Sequence, residues 1–193
     1  MAKRSKDTLT GGTHDVNPQY LQGAVQITVA NTPVETTIAL PILRPGVGSS
    51  PSKAQVVEVL RLEMSSPGAI ATDLAGAAAL ATYVETFTVS TTAQTTAVPN
   101  LSNPKVIAQF RRLFTSAFTA AGTYSQAGGV LQHQTWDFTD GAGHGILIGT
   151  DNLYFQYDTD GFASLPLATF KLLYRFKEVS LIEYIGMVQS QNA

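Results

Sequence analysis

The 193 residues contain no cysteine. That excludes a disulfide framework, a thiolate nucleophile and a cysteine zinc site. Charge is scarce as well: Asp, Glu, Lys and Arg make up 13% of the chain, about half of the ~25% usual for a globular domain. A surface with so few charges is expected to be covered in part by other subunits. No run approaches the ~18 consecutive apolar residues that span a bilayer, and no membrane partner is expected. The opening MAKRSKDTLTGGTHDVNPQY carries charges with no apolar segment behind them, so it does not read as a secretory signal. The protein is expected to be made and assembled inside a cell without secretion through a signal peptide.

Catalytic signatures are missing too. There are three histidines, His14, His133 and His144, and no G-x-S-x-G elbow to present a serine to any of them. The glycines of TDGAGHG (139–145) resemble a phosphate loop only in composition, because no lysine and no helix follow. Their simpler role is backbone freedom where the chain reverses between strands. Asp137, Asp140, His144 and Asp151 are the one acidic and histidine cluster near this turn. Calcium needs six or more oxygens, and YDTDG (157–161) holds only part of the calcium-loop pattern, without its distal glutamate. No enzyme activity, metal or cofactor is expected.

What the chain does contain is strand pattern. Residues 1–20 read as an irregular arm, with Gly11, Gly12, Asp15, Asn17 and Pro18 as breakers. AVQITVA (24–30) alternates, and VETTIALPIL (34–43) follows a turn. RPGVGSSPS (44–52) is a loop by composition. QVVEVLRLEM (55–64) sets Val57, Val59 and Arg61 on one side and Val56, Glu58, Leu60 and Leu62 on the other. With both faces partly apolar, this strand is expected to be central or sandwiched. LATYVETFTVSTTAQTT (80–96) is Thr-rich and alternating, as a pleated sheet favours. NPKVIAQFRRLFTSAF (103–118) fits either a helix capped by Ser102 or a strand, and its strand neighbours favour strand. GTYSQAGG (122–129) is turn-like. Then come strands VLQHQTWDF (130–138), ILIGTDNLYFQY (146–157) and LATFKLLYRFKEV (167–179), and the chain closes with SLIEYIGMVQS (180–190).

Eight or nine strands, with at most one helix, are the signature of a sandwich or barrel. An eight-stranded double-sheet jelly roll fits both the count and the length. The expected organisation is a short flexible N-terminal arm, residues 1–20, and one jelly-roll domain, residues 21–193.

The charges are unevenly placed. Lys3, Arg4 and Lys6 against Asp7 give the first seven residues +2, which leaves 9 basic and 13 acidic residues, or −4, for the rest. A basic end on an acidic body suggests a tail that faces nucleic acid. Arg111 and Arg112 form a second basic spot, suited to a solvated edge, a subunit contact or a phosphate.

TDGAGHGILIGTDNLYFQYDT, together with FKLLYRFKEVSLIEYIGMVQSQ, KRSKDTLTGGTHDVNPQY and AQVVEVLRLEM, resembles the capsid proteins of small circular single-stranded DNA viruses. These pieces touch roughly half of the chain and lie in the expected order. The resemblance implies a jelly-roll subunit that assembles, in about 60 copies or a multiple, into an icosahedral shell around the viral genome. It places the protein in the virion and lets Lys3, Arg4, Lys6, Arg111 and Arg112 touch nucleic acid without reading its sequence. Sixty arms would bring about 180 charges against on the order of 2000 phosphates, at one per nucleotide. The arm alone cannot neutralise such a genome. The alternative is a lectin-like or trimeric fibre module on the same sandwich, with Tyr124, Trp136, Tyr154 and Tyr157 as an aromatic carbohydrate platform.

Overall fold

The longest apolar alternation in the chain becomes its central strand. In the computed structural model, which describes residues 18–40, 52–68, 73, 80–94, 101–118, 124–126 and 132–192, β3 (Lys53–Ser66) is paired along both sides. The strand β10 (Leu167–Ser180) lies on one side. On the other, β7 (Gln132–Asp137) pairs with the C-terminal half of β3 and β8 (Ile146–Ile148) with its N-terminal half. The edge strand β1 (Gln19–Gln26) completes this first sheet against β10. It starts two residues inside the stretch expected to be irregular arm.

The second sheet runs β2-β9-β4-β5-β6, with β2 (Val34–Ala39), β9 (Asn152–Asp160), β4 (Leu80–Ser90), β5 (Val106–Phe118) and β6 (Tyr124–Gln126). All pairings in both sheets are antiparallel. If β7 and β8 are counted as one interrupted strand and the three-residue β6 is set aside, the described residues form eight strands in two sheets of four. Successive strands then alternate between the sheets, except for the β4–β5 hairpin pair. This is a double-sheet jelly roll.

Within 103–118, Val106–Phe118 are strand, not helix, because β5 pairs with β4 across almost its whole length. Two other expectations need correction. The run 146–157 is not one strand: Gly149, Thr150 and Asp151 make a corner that takes the chain from β8 in the first sheet to β9 in the second. The closing stretch SLIEYIGMVQS, given no element from sequence, lies after its first residue in helix α1, Leu181–Asn192. Ser180 caps it. The Ser180 Oγ accepts from the Glu183 amide at 3.2 Å, and the Glu183 carboxylate accepts from the Ser180 amide at 2.9 Å, a reciprocal box that satisfies two orphan donors. The stretch 122–129, expected as a turn, contributes β6.

The two apolar faces of β3 have two causes. A bulge shifts its register against β10 between Leu173 and Tyr174, which leaves Leu60 as an extra residue. Inward positions therefore change parity, from Val57 and Val59 to Leu62 and Met64, all buried in the main core. On the other side, Ala54 and Val56 are buried beneath α1, with Val179, Leu147, Tyr184 and Met187. The main core lies between the sheets and is dominated by aromatic rings: Phe155 stacks on Phe170 with centroids 3.8 Å apart, and Phe87 leans on both and on Tyr157. Gly23 of β1 makes room for this packing, since a Cβ there would meet the tip of the Phe170 ring at 2.5 Å.

Candidate assembly and nucleic-acid surfaces

Adjacent residues on a strand point to opposite faces, and β5 applies this to the paired arginines. Arg111 is exposed on the outer face of the second sheet, whereas Arg112 is turned into the sandwich and is 9% exposed. The Arg112 guanidinium donates to Glu85 of β4, whose side chain is fully buried, and its Cζ sits 5.6 Å from the centre of the Phe110 ring. Glu85 also accepts from the Tyr157 hydroxyl at 2.7 Å and from the Ser66 hydroxyl. Ser66 closes the first sheet's central strand, so the cluster ties the two sheets together across the core. Burial and the neighbouring Glu85 charge push the Tyr157 phenol far above its ordinary range, which keeps it a proton donor. Arg112 is therefore a core residue, and the expected two-arginine surface spot is split.

Arg111 stands in register with Thr86, and Thr86 with Asp158. The same outer face carries Asp160 and Glu35, the latter accepting from the Gln94 amide at 2.7 Å. Burial, with the nearby Asp160 charge, raises the Asp158 carboxyl. Arg111 thus sits on a face of mainly acidic character. Lys3, Arg4 and Lys6 lie outside the described residues.

The outer face of the first sheet gathers Arg61, Lys171, Arg175 and Lys177, while Lys53 starts β3 on the alternate face; most of these cations already face carboxylates. Lys53 pairs with Glu178 at 3.0 Å and Arg61 with Glu63 at 3.1 Å. Arg175 and Lys177 both converge on the buried Glu58, the latter at 3.4 Å. Burial alone would raise the Glu58 carboxyl. The Arg175 hydrogen bond, the Gly145 amide and the two positive charges outweigh that and hold it below its ordinary value. Lys171 instead lies over the Tyr20 ring, 3.9 Å from its centre.

The TDGAGHG turn is built around this buried carboxylate. It does not reverse the chain. β7 and β8 run in the same direction along β3, and residues 138–145 loop out of that edge at the bulge, with the Phe138 amide still donating to Leu60 O at 2.9 Å. Asp140 organises the loop: its carboxylate accepts from the Ala142 and His144 amides at 2.9 and 2.8 Å and faces His144 Nδ1 at 3.0 Å. These bonds, the His144 amide first, lower the Asp140 carboxyl. Only one of the three glycines, Gly143, takes positive φ, at 83°. Gly145 is needed for closeness, because a Cβ there would lie 2.1 Å from Val59 O. Its amide donates to Glu58 at 3.1 Å, and Arg175 donates to Gly143 O at 3.2 Å.

Of the four residues considered for a metal, only Asp140 and His144 meet. Asp137 turns its carboxylate onto Thr139, which lowers it, and among the described residues no three acidic or histidine side chains converge as a metal site. His133 is exposed beside Thr135. The four aromatics do not form one platform either. Tyr157 is buried in the core, Trp136 packs edge-on against Phe110, and Tyr154 points to the opposite face of β9. The Tyr124 side chain lies outside the described residues.

No family model matches the chain, and no curated protein does. Solved structures do. VP1 of the Trichodysplasia spinulosa-associated polyomavirus, in complex with 3'-sialyllactose, aligns over 88% of this chain and 97% of its own, with a TM-score of 0.53 and 14% identity. The same protein in complex with GM1 oligosaccharide gives 0.52 and 13% over the same shares. The fold is similar to that of a viral capsid protein. At such low identity the VP1 likeness concerns the fold, and it agrees with the jelly-roll strand order read from the pairing.

Proposed function

We propose that this chain is a non-enzymatic viral capsid protein that self-assembles into an icosahedral shell around a viral genome. The observation that carries this reading is the jelly-roll strand order, matched over almost the whole length of a VP1 capsid protein. The low charge and the resemblance to capsids of small circular single-stranded DNA viruses support it and favour a single-stranded DNA genome. About 60 copies, or a multiple, bury uncharged flanks against each other as symmetry-related subunits. The shell domain starts at β1, and the arm before it carries Lys3, Arg4 and Lys6 to the phosphates. Contacts of this kind position nucleic acid without reading sequence. Arg111 is the exposed member of its pair and joins them; Arg112 does not.

The test is electron microscopy of the purified protein, with absorbance at 260 and 280 nm on the same sample. Uniform closed shells are expected, and the absorbance ratio reports whether the arm has retained nucleic acid. Discrete trimers across a salt and calcium series would instead favour a fibre or lectin module.

A further inference from the structure

The corner between β8 and β9 meets the C-terminal half of α1 around a hollow of about 240 Å³. Asp151, Asn152 and Tyr154 line it from the corner and β9, Tyr184 from α1, and the hydroxyl-bearing Thr91 and Thr150 complete its polar wall. Pockets for drug-sized molecules run to ~300–1,000 Å³, so this one suits a group of side-chain size.

Its hydrogen-bonding capacity is one-sided. Thr91 and Thr150, both buried, spend their protons on backbone carbonyls, on Gln191 O at 3.1 Å and Asn152 O at 3.0 Å. Their oxygens are left as acceptors. The Gly149 amide is already taken by Gln191 Oε1 at 2.9 Å. Among the described residues the Asp151 carboxylate has no hydrogen-bond or ion-pair partner, and neither do the side chains of Asn152, Tyr154 and Tyr184. Lys105 reaches Thr91 through its carbonyl, which accepts from the Thr91 amide at 2.9 Å, and forms no ion pair with Asp151. The hollow also lies beside the negative end of α1, whose last turn holds no basic residue. An anion would meet a carboxylate and spent donors here. A primary ammonium, with three donors and no acceptor, is the complement, and tyrosine rings favour a cation further.

We propose that this hollow binds a primary alkylammonium group. Asp151 is its counter-ion, the Thr91, Thr150 and Asn152 oxygens accept its protons, and Tyr154 and Tyr184 flank its stem. Such a group is carried by a free polyamine or by a lysine side chain. The site belongs to a single chain and stands apart from the shell reading.

Equilibrium dialysis of the nucleic-acid-free full chain against labelled spermidine tests it. The competitors are n-butylamine, its neutral counterpart n-butanol, and a peptide of residues 1–12, which carries Lys3 and Lys6. The site requires one saturable spermidine per chain, displaced by n-butylamine and not by n-butanol at the same concentration. Asp151→Asn should weaken spermidine on the order of tenfold with the melting temperature unchanged. Tyr154→Leu should weaken it several-fold with the charge left in place. Asp158→Asn, on the same face of β9 but outside the hollow, should leave binding as it was. No saturable uptake, equal competition by n-butanol, or wild-type affinity in both Asp151→Asn and Tyr154→Leu overturns the site. The peptide separates the sources: displacement at least as effective as that by n-butylamine assigns a lysine side chain, and weaker displacement assigns the free polyamine.

Discussion

Replacing Arg112 by leucine should unfold the core before it touches any nucleic-acid binding. Glu85 is fully buried and Arg112 nearly so, and the guanidinium is the positive partner of that carboxylate. Arg112→Leu keeps an apolar side chain against Phe110 but leaves the carboxylate, among the described residues, with the neutral hydroxyls of Tyr157 and Ser66. Removing one member of a buried ion pair costs about 3–5 kcal/mol. With a urea dependence of about 2 kcal/mol/M, the unfolding midpoint should fall by about 1.5–2.5 M. The double variant Glu85→Gln/Arg112→Leu should recover most of that loss, since a buried pair replaced as a unit is often close to neutral, and the glutamine still accepts from Tyr157. The assay is equilibrium urea unfolding of unassembled protein, followed by Trp136 fluorescence. A shift below about 0.5 M for Arg112→Leu would refute the reasoning, and reduced nucleic-acid retention in the same variant would return Arg112 to the surface.

Arg111→Ala, by contrast, should change stability by no more than about 0.5 kcal/mol, and if Arg111 meets phosphate it should lower the 260/280 nm ratio of purified particles. Gly145→Ala should destabilise by about 1–3 kcal/mol because its Cβ meets the Val59 carbonyl; Gly141→Ala, with nothing within 4 Å, should be silent in the same thermal melts. The Glu58 carboxyl is held below its ordinary value of 4.5, so its contribution to stability is present above that value and lost as pH falls through the folded one. Melting temperature should therefore drop between pH 5 and pH 3, and Glu58→Gln should flatten that drop; an unchanged slope would remove Glu58 from the account. Ser180→Ala should loosen α1 by about 1 kcal/mol, seen as faster amide exchange in its first turn.

Strand content and sheet order differ in how openly the sequence displays them. Alternation in β7 and β10 is plain because each of these strands turns one face to the core. The β8–β9 corner is hidden, since Gly149 to Asp151 interrupt an alternation that resumes beyond them and the pattern does not say that the sheet has changed. The parity change in β3 is hidden for a related reason: a bulge residue as apolar as Leu60 looks like a second buried face. The helix α1 was legible. Ser180 and Glu183 have the S-x-x-E spacing before an apolar run, but the β-branched residues around them pull the eye toward strand. The site residues show the same limit. Arg111 and Arg112 are one basic dipeptide in sequence, and only the strand geometry separates an exposed charge from one that completes the core. In a strand, alternation puts Arg112 on the face of Ala108 and Phe110. What the sequence lacked was its partner, Glu85, which lies 27 positions away in the chain.

Sedimentation velocity of the purified full chain at neutral pH tests the central claim most directly. A capsid protein gives a sharp megadalton boundary of closed particles, in equilibrium with small subunit species as salt is raised. A chain that remains monomeric or trimeric at every salt and protein concentration contradicts the shell.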